Sequence, residues 1–210
     1  MSASRREWIR RALIVAAGAA LSLAAGCTRP PPIKGTYVLE PALPPPVAKT
    51  QPGLLRVGTT TVGAPFRGRA FVFRESDLKY ETDYYREFLV APGANISEAT
   101  TRALAAAKVF ASVAPPGVVV DPDWLLEGFV DALYGDARNV DKPVAVLTIR
   151  YFLSPATGAA GVPIWSKTYE RRVPFTPGSA EAYVTALNTA FGDVLAELAR
   201  DLSALTLSKP

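Results

Sequence analysis

The order of patterns along the chain predicts an α+β domain: a mixed, mostly antiparallel sheet with two helices packed on one face. Three observations carry this. Runs rich in β-branched and aromatic residues fall into two groups, one between residues 54 and 90 and one between 124 and 175. An alanine-rich run with helical spacing separates them. The strongest helical periodicity in the chain follows the second group, so the order reads strands, helix, three strands, helix.

Residues 1–26 read as an export signal. Arg5, Arg6, Arg10 and Arg11 precede an apolar stretch, Ala12 to Ala25, too short to span a bilayer stably, and small residues then lead to Cys27. The run Leu23-Ala24-Ala25-Gly26-Cys27 has the character of a bacterial lipoprotein site, although such sites usually favour leucine where Ala24 stands. The thiol would take a diacylglycerol and, after cleavage, become the first residue of the mature chain. Two or three acyl chains anchor durably, at about 0.8 kcal/mol per buried methylene. A buried cysteine or an uncleaved signal anchor is the alternative. Ser4-Arg5-Arg6-Glu7-Trp8-Ile9-Arg10 also fits a twin-arginine export pattern, so two export routes stay open.

The net charge of +4 belongs mostly to this signal, where four arginines less Glu7 supply +3. The remainder is near neutral and shows no basic cluster, which argues against a nucleic-acid partner. The chain has no histidine, its one cysteine is Cys27 and its one methionine is the first residue. Histidine-based triads are therefore excluded, and zinc, haem or thiolate-metal sites are not expected; neither an enzyme nor a bound cofactor is anticipated. The length after the signal suits one domain with one core, and no later apolar run approaches the roughly 18 residues a membrane span needs.

Residues 27–53 form a lipidated, proline-rich tether on this reading. Pro30, Pro31, Pro32, Pro41, Pro44, Pro45, Pro46 and Pro52 lack N–H donors and fix φ, so the stretch should be extended and weakly ordered. Gly35 to Leu39 is the exception, with the composition of a short strand that adds an edge to the sheet. The domain proper then occupies 54–210. Leu54 to Val62 has strand composition, ended by Gly63-Ala64-Pro65, and Ala70 to Arg74 follows. In Leu78 to Val90, alternation places Leu78, Tyr80, Tyr84, Phe88 and Val90 on one face. Asn95-Ile96-Ser97-Glu98 resembles a capping box with Asn95 as N-cap, opening a helix from about Ile96 to Val113. Its stripe is Ile96, Ala99, Ala103, Ala107, Phe110 and Ala111.

Pro115-Pro116-Gly117 breaks that helix. Strand patterns at about Trp124–Tyr134, Val144–Leu153 and Ile164–Phe175 are joined by turn material, and an antiparallel meander is the economical reading. Ser179 then serves as N-cap of the last helix, with Glu181 in its first turn. Leu187, Ala190, Phe191, Val194, Leu195, Leu198, Leu202 and Leu205 supply the apolar stripe.

Several of these features together resemble the auxiliary lipoprotein family of ABC-type transport systems, the PqiC type. They are the cysteine followed by Pro30-Pro31-Pro32, the strands Tyr37-Val38-Leu39-Glu40 and Leu54-Leu55-Arg56-Val57, Tyr84-Tyr85 ahead of Phe88 and Pro92, and Val109-Phe110-Ala111-Ser112-Val113. The resemblance covers most of the chain after the signal and is one of order and character. It implies a periplasmic lipoprotein that partners a substrate-binding protein of the mammalian-cell-entry type, or other ABC transporter subunits, in lipid trafficking. Thr28, rather than aspartate, after Cys27 is compatible with the outer membrane, with the inner membrane as the alternative.

Asp121, Asp123, Asp131, Asp136 and Asp141 invite a carboxylate site, but aspartate beside proline or glycine favours turns. Asp131 alternates to the face opposite Trp124, Leu126, Val130 and Tyr134. The candidate partner surface is Tyr84, Tyr85, Arg86 and Arg171, since tyrosine and arginine are favoured at protein contacts. Strict alternation leaves at most one of each neighbouring pair available. Arg171 and Arg172, beside Lys167, point to opposite faces, and phospholipid headgroups are a further ligand for such arginines. A different reading is a regulatory or scaffold lipoprotein that binds a peptidoglycan synthase. A hydrolase is disfavoured by the lack of histidine and of a nucleophile elbow.

Overall fold

A computed structural model describes residues 34–156 and 162–208 of the chain. Cys27 and the export signal lie outside the described residues. The compact unit that holds the domain begins at Lys34.

Its elements are β1 (Gly35–Tyr37), β2 (Gln51–Val57), β3 (Thr61–Val62), a 3-10 turn (Ala64–Phe66), β4 (Ala70–Arg74), β5 (Tyr80–Phe88) and helix α1 (Pro92–Ala106). After them come β6 (Phe110–Ala114), β7 (Trp124–Asp136), β8 (Val144–Pro155), β9 (Trp165–Pro174) and helix α2 (Ala180–Ala204). The class is α+β, and the sheet is mixed with its long ladders antiparallel. β7, β8 and β9 form the expected meander. The other edge of β7 pairs in turn, parallel, with β2 at Trp124–Leu126, β3 at Phe129–Val130 and β4 at Gly135–Asp136. Beyond β7 the sheet therefore forks, with β2–β6 on one wing and β4–β5–β1 on the other.

Both helices cover the same face. Thr100 of α1 meets Tyr151 of β8 at 2.8 Å, and Asp201 of α2 accepts a hydrogen bond from the Tyr169 hydroxyl of β9 at 2.7 Å. Helix α2 follows its predicted stripe: Leu187, Phe191, Val194, Leu195, Leu198 and Leu202 are all buried, each contributing roughly 1.5–3 kcal/mol. Ser179 caps it as expected, its Oγ accepting the Ala182 N–H at 3.1 Å. Gly93 lets α1 close on the sheet, since a Cβ there would stand 2.6 Å from the Thr60 carbonyl oxygen.

Four expectations are corrected. Helix α1 begins at Pro92, three residues before the expected cap, because proline fits the first helical turn, where its absent N–H costs nothing. Asn95 is inside the helix and buried; its Oδ1 accepts the Leu39 N–H at 2.9 Å and its Nδ2 donates to the Leu39 carbonyl at 3.0 Å. The same helix ends early. Lys108 takes a left-handed φ of 54°, and residues 110–114 turn into β6, which pairs parallel with β2. A fourth strand thus stands between the helices.

The third correction concerns the described part of the proline-rich stretch. Leu39, Pro41 and Pro44 are buried, so residues 38–50 run as a strap over the body instead of an open spacer. At its far end Gln51 Nε2 donates to the carbonyls of Leu202, Ser203 and Leu205 at 2.7–3.0 Å, and the Lys49 ammonium donates to Leu205 at 2.6 Å. Donors and a cation thereby meet the negative end of α2. Fourth, the register of β7 against β8 shifts between Val130 and Ala132. Tyr134 therefore leaves the face of Trp124 and stacks on Phe66, with ring centroids 5.7 Å apart, on the side away from the helices.

Candidate functional site

The predicted aromatic face of β5 is not a core face. Phe88 is buried, but Tyr80, Val90 and Leu78 are exposed. The cause is local. Between the pairs Val72–Thr82 and Ala70–Glu87, β5 advances five residues while β4 advances two. Asp83 fixes this bulge: its Oδ1 accepts the amide N–H groups of Tyr85 at 2.8 Å and Arg86 at 3.1 Å, a local arrangement that competes with ladder pairing. Alternation fails across the bulge, and both tyrosines face outward, Tyr84 at 73% and Tyr85 at 44% exposure.

The two rings meet edge to face at 5.0 Å. Because Gly35 pairs with Arg86, the chain enters the domain at the bulge, and the Lys34 ammonium stands 4.8 Å from the centre of the Tyr84 ring. Arg86 lies 3.7 Å from Asp83. Just past β1 and β5, Val38, Leu89 and Val90 are exposed as well; the Leu89 N–H donates to the Tyr37 carbonyl at 2.7 Å and closes this end of the pair. Tyr84, Tyr85 and Arg86 are thus brought together, with Lys34 added.

Arg171 stands apart, on β9 at the other side of the sheet. Its guanidinium pairs with Glu197 of α2. Lys167 bridges Glu197 and Asp201, each at 2.8 Å, and the Tyr169 hydroxyl completes the group. Lys167 and Arg171 hold the Glu197 carboxyl below its ordinary value, and burial followed by Asp201 pushes Tyr169 up. This network fastens α2 to β9 and occupies Arg171. Arg172, on the opposite face as expected, donates to Asp136 at 2.9 Å. Asp136 also accepts from Arg138 at 2.8 and 2.9 Å, and its carboxyl is held well below the carboxylate range, chiefly by Arg138, against the opposing effect of burial.

The remaining aspartates do not converge. Asp123 Oδ2 accepts the Leu54 N–H at 2.8 Å beside Gly53, whose φ of 93° needs glycine. Asp131 occupies the β7 bulge, 3.7 Å from Arg150, and Asp121 and Asp141 are exposed. Among the described residues no three metal-ligating side chains gather. A second surface was invisible in the sequence: a largely apolar cleft of about 620 Å³ between the strap at Pro44–Lys49 and Ala199, Arg200 and Ser203 of α2.

No family model matches the chain, and no curated protein matches it by sequence. Solved structures do. Protein XCC0632 from Xanthomonas campestris, assigned to the DUF330 family, superposes with a TM-score of 0.69 at 17% identity, over 79% of this chain and 92% of that one. An uncharacterized protein gives a TM-score of 0.64, also at 17% identity, over 81% of this chain and 99% of that one. The chain shares their fold. At such identities the likeness is one of architecture, extending over nearly the whole of both solved chains.

Proposed function

We propose that this chain is a lipid-anchored periplasmic accessory protein of an ABC transport system of the mammalian-cell-entry type. It docks to the substrate-binding protein or transporter subunits and catalyses no reaction itself. The observation that carries this reading is the acylation run ending at Cys27, set ahead of a body that shares its fold with a DUF330 protein. DUF330 is the family of the PqiC-like lipoproteins, which the sequence resembles on separate grounds.

The parts have distinct work. The acyl chains hold the protein at the outer membrane, and confinement to a surface raises the effective concentration for a partner, so the protein contact can be weak. The test is a pull-down from detergent-solubilised membranes with a C-terminal tag, wild type beside Cys27→Ser. Recovery of a mammalian-cell-entry protein or its permease, reduced in the variant, is the expected result. Recovery of a peptidoglycan synthase instead would replace this reading with the scaffold one.

A further inference from the structure

We infer that the edge formed by Lys34, Tyr84, Tyr85, Val38, Leu89 and Val90 is a contact for the phospholipid bilayer, held against the headgroup layer by the acylated Cys27. The inference rests on the anchor proposed above and adds the surface that the anchor serves.

The length of chain ahead of the domain is the first argument. Seven residue steps separate Cys27 from Lys34, and at no more than about 3.6 Å each they reach about 25 Å. No slack follows, because the chain beyond Lys34 is already committed: β1 is paired with β5, Leu39 is clamped by Asn95, and Pro41 and Pro44 are buried. Lys34 itself lies over the Tyr84 ring. An acyl anchor at Cys27 therefore holds Lys34, and with it this edge, within about 25 Å of the lipid.

Chemistry is the second argument. Tyrosine belongs at the water–hydrocarbon boundary, with an apolar ring body and a polar tip, and exposed Val38, Leu89 and Val90 extend that character along the edge. Lys34 can bury its stem and keep its ammonium among phosphates, where a basic residue is attracted to an anionic surface. Two carboxylates of this edge are paired with arginines, Asp83 with Arg86 at 3.7 Å and Glu87 with Arg69 at 2.6 Å, which reduces their repulsion of anionic headgroups. The exposed area is small, so the contact would be negligible for a free protein and is effective only beside an anchor.

The experiment uses the exported, acylated protein. With Cys27 acylated the mature chain has no free thiol, so Leu89→Cys and, separately, Val119→Cys each accept one environment-sensitive fluorophore; Val119 is fully exposed on the loop between β6 and β7. Both are reconstituted into phosphatidylcholine–phosphatidylglycerol vesicles carrying nitroxide lipid. Quenching at position 89 is expected to exceed that at 119 by about twofold or more, as for a group seated roughly 5–10 Å into the boundary layer, and Tyr84→Ser with Tyr85→Ser should remove the excess. Equal quenching at both positions overturns the inference. If quenching is equal and the double serine variant instead loses a co-purified transport protein, the edge belongs to that protein. Intact mass tells the two readings apart: a Cys27 without diacylglycerol defeats the anchor itself, and the inference with it.

Discussion

Two buried tyrosines carry the same side chain into opposite circumstances. The Tyr151 hydroxyl is 2.8 Å from Thr100 Oγ1, whereas that of Tyr183 has no hydrogen-bond partner among the described residues. Tyr183 sits in an aromatic nest, with Phe71, Phe73 and Phe175 centred 5.1–5.3 Å away, and burial pushes its hydroxyl far above the ordinary phenol value. An unsatisfied buried hydroxyl is a desolvation loss with nothing to offset it. Tyr183→Phe should therefore stabilise the domain by about 1 kcal/mol, while Tyr151→Phe, which strands the fully buried Thr100 hydroxyl, should destabilise it by about 1–2 kcal/mol. Urea unfolding of the two variants beside wild type checks the sign. A loss of stability in both would mean that the Tyr183 hydroxyl is satisfied.

The strap is an element with one principal fastener in its first half. Asn95 satisfies both the N–H and the carbonyl of Leu39, which is itself buried. Asn95→Ala leaves two main-chain groups without partners and should cost about 2–3 kcal/mol; limited trypsin digestion should then cut at Lys49 faster than in wild type. Asn95→Asp keeps the acceptor but loses the donor and buries a charge, so it should be no better. This element also marks where the sequence stops being readable. Helix α2 is legible because a 3.6-residue stripe sustained over 25 residues has no competing interpretation. The meander is legible for a similar reason, through alternation and turn residues. Asn95 before Glu98 reads as a cap because local spacing cannot reveal that the amide is engaged by Leu39, 56 residues earlier. Residues 110–114 read as helix because the alanine run ahead of them is helical and nothing local announces the left-handed turn at Lys108. Among the candidate site residues, the tyrosines are visible by their density. The bulge that turns both outward is not, and the engagement of Arg171 by Glu197 depends on how α2 lies across β9.

At the scale of the whole molecule, acid–base behaviour follows from what the chain contains. There is no histidine, the one side chain whose ordinary value lies close to neutrality. The groups with displaced values lie on either side. Asp136, Glu197, Glu81 and Glu181 are lowered, by Arg138, by Lys167, by Lys79 and by main-chain hydrogen bonding respectively. A lowered carboxyl contributes stability that is complete above its unfolded value, near 4, and is lost as pH falls through the folded one. Lys167 is raised by Asp201 and Glu197, and Tyr151, Tyr169 and Tyr183 are raised chiefly by burial. Their contributions are complete below about pH 10 and fade above it. Stability should therefore be flat from about pH 5 to 9 and fall on both sides. Asp136→Asn tests the acid side. At neutral pH it should lose about 1.5 kcal/mol, the low end for charged hydrogen bonds because both arginines stay open to water. The deficit should narrow below about pH 4, where the Asp136 carboxyl of the unfolded wild type begins to take up a proton while the folded one, held well below the carboxylate range, stays charged. Unfolding free energies of the two proteins at neutral pH and at a series of values below 4 decide it: a deficit that stays constant into acid would mean that Asp136 contributes shape rather than charge.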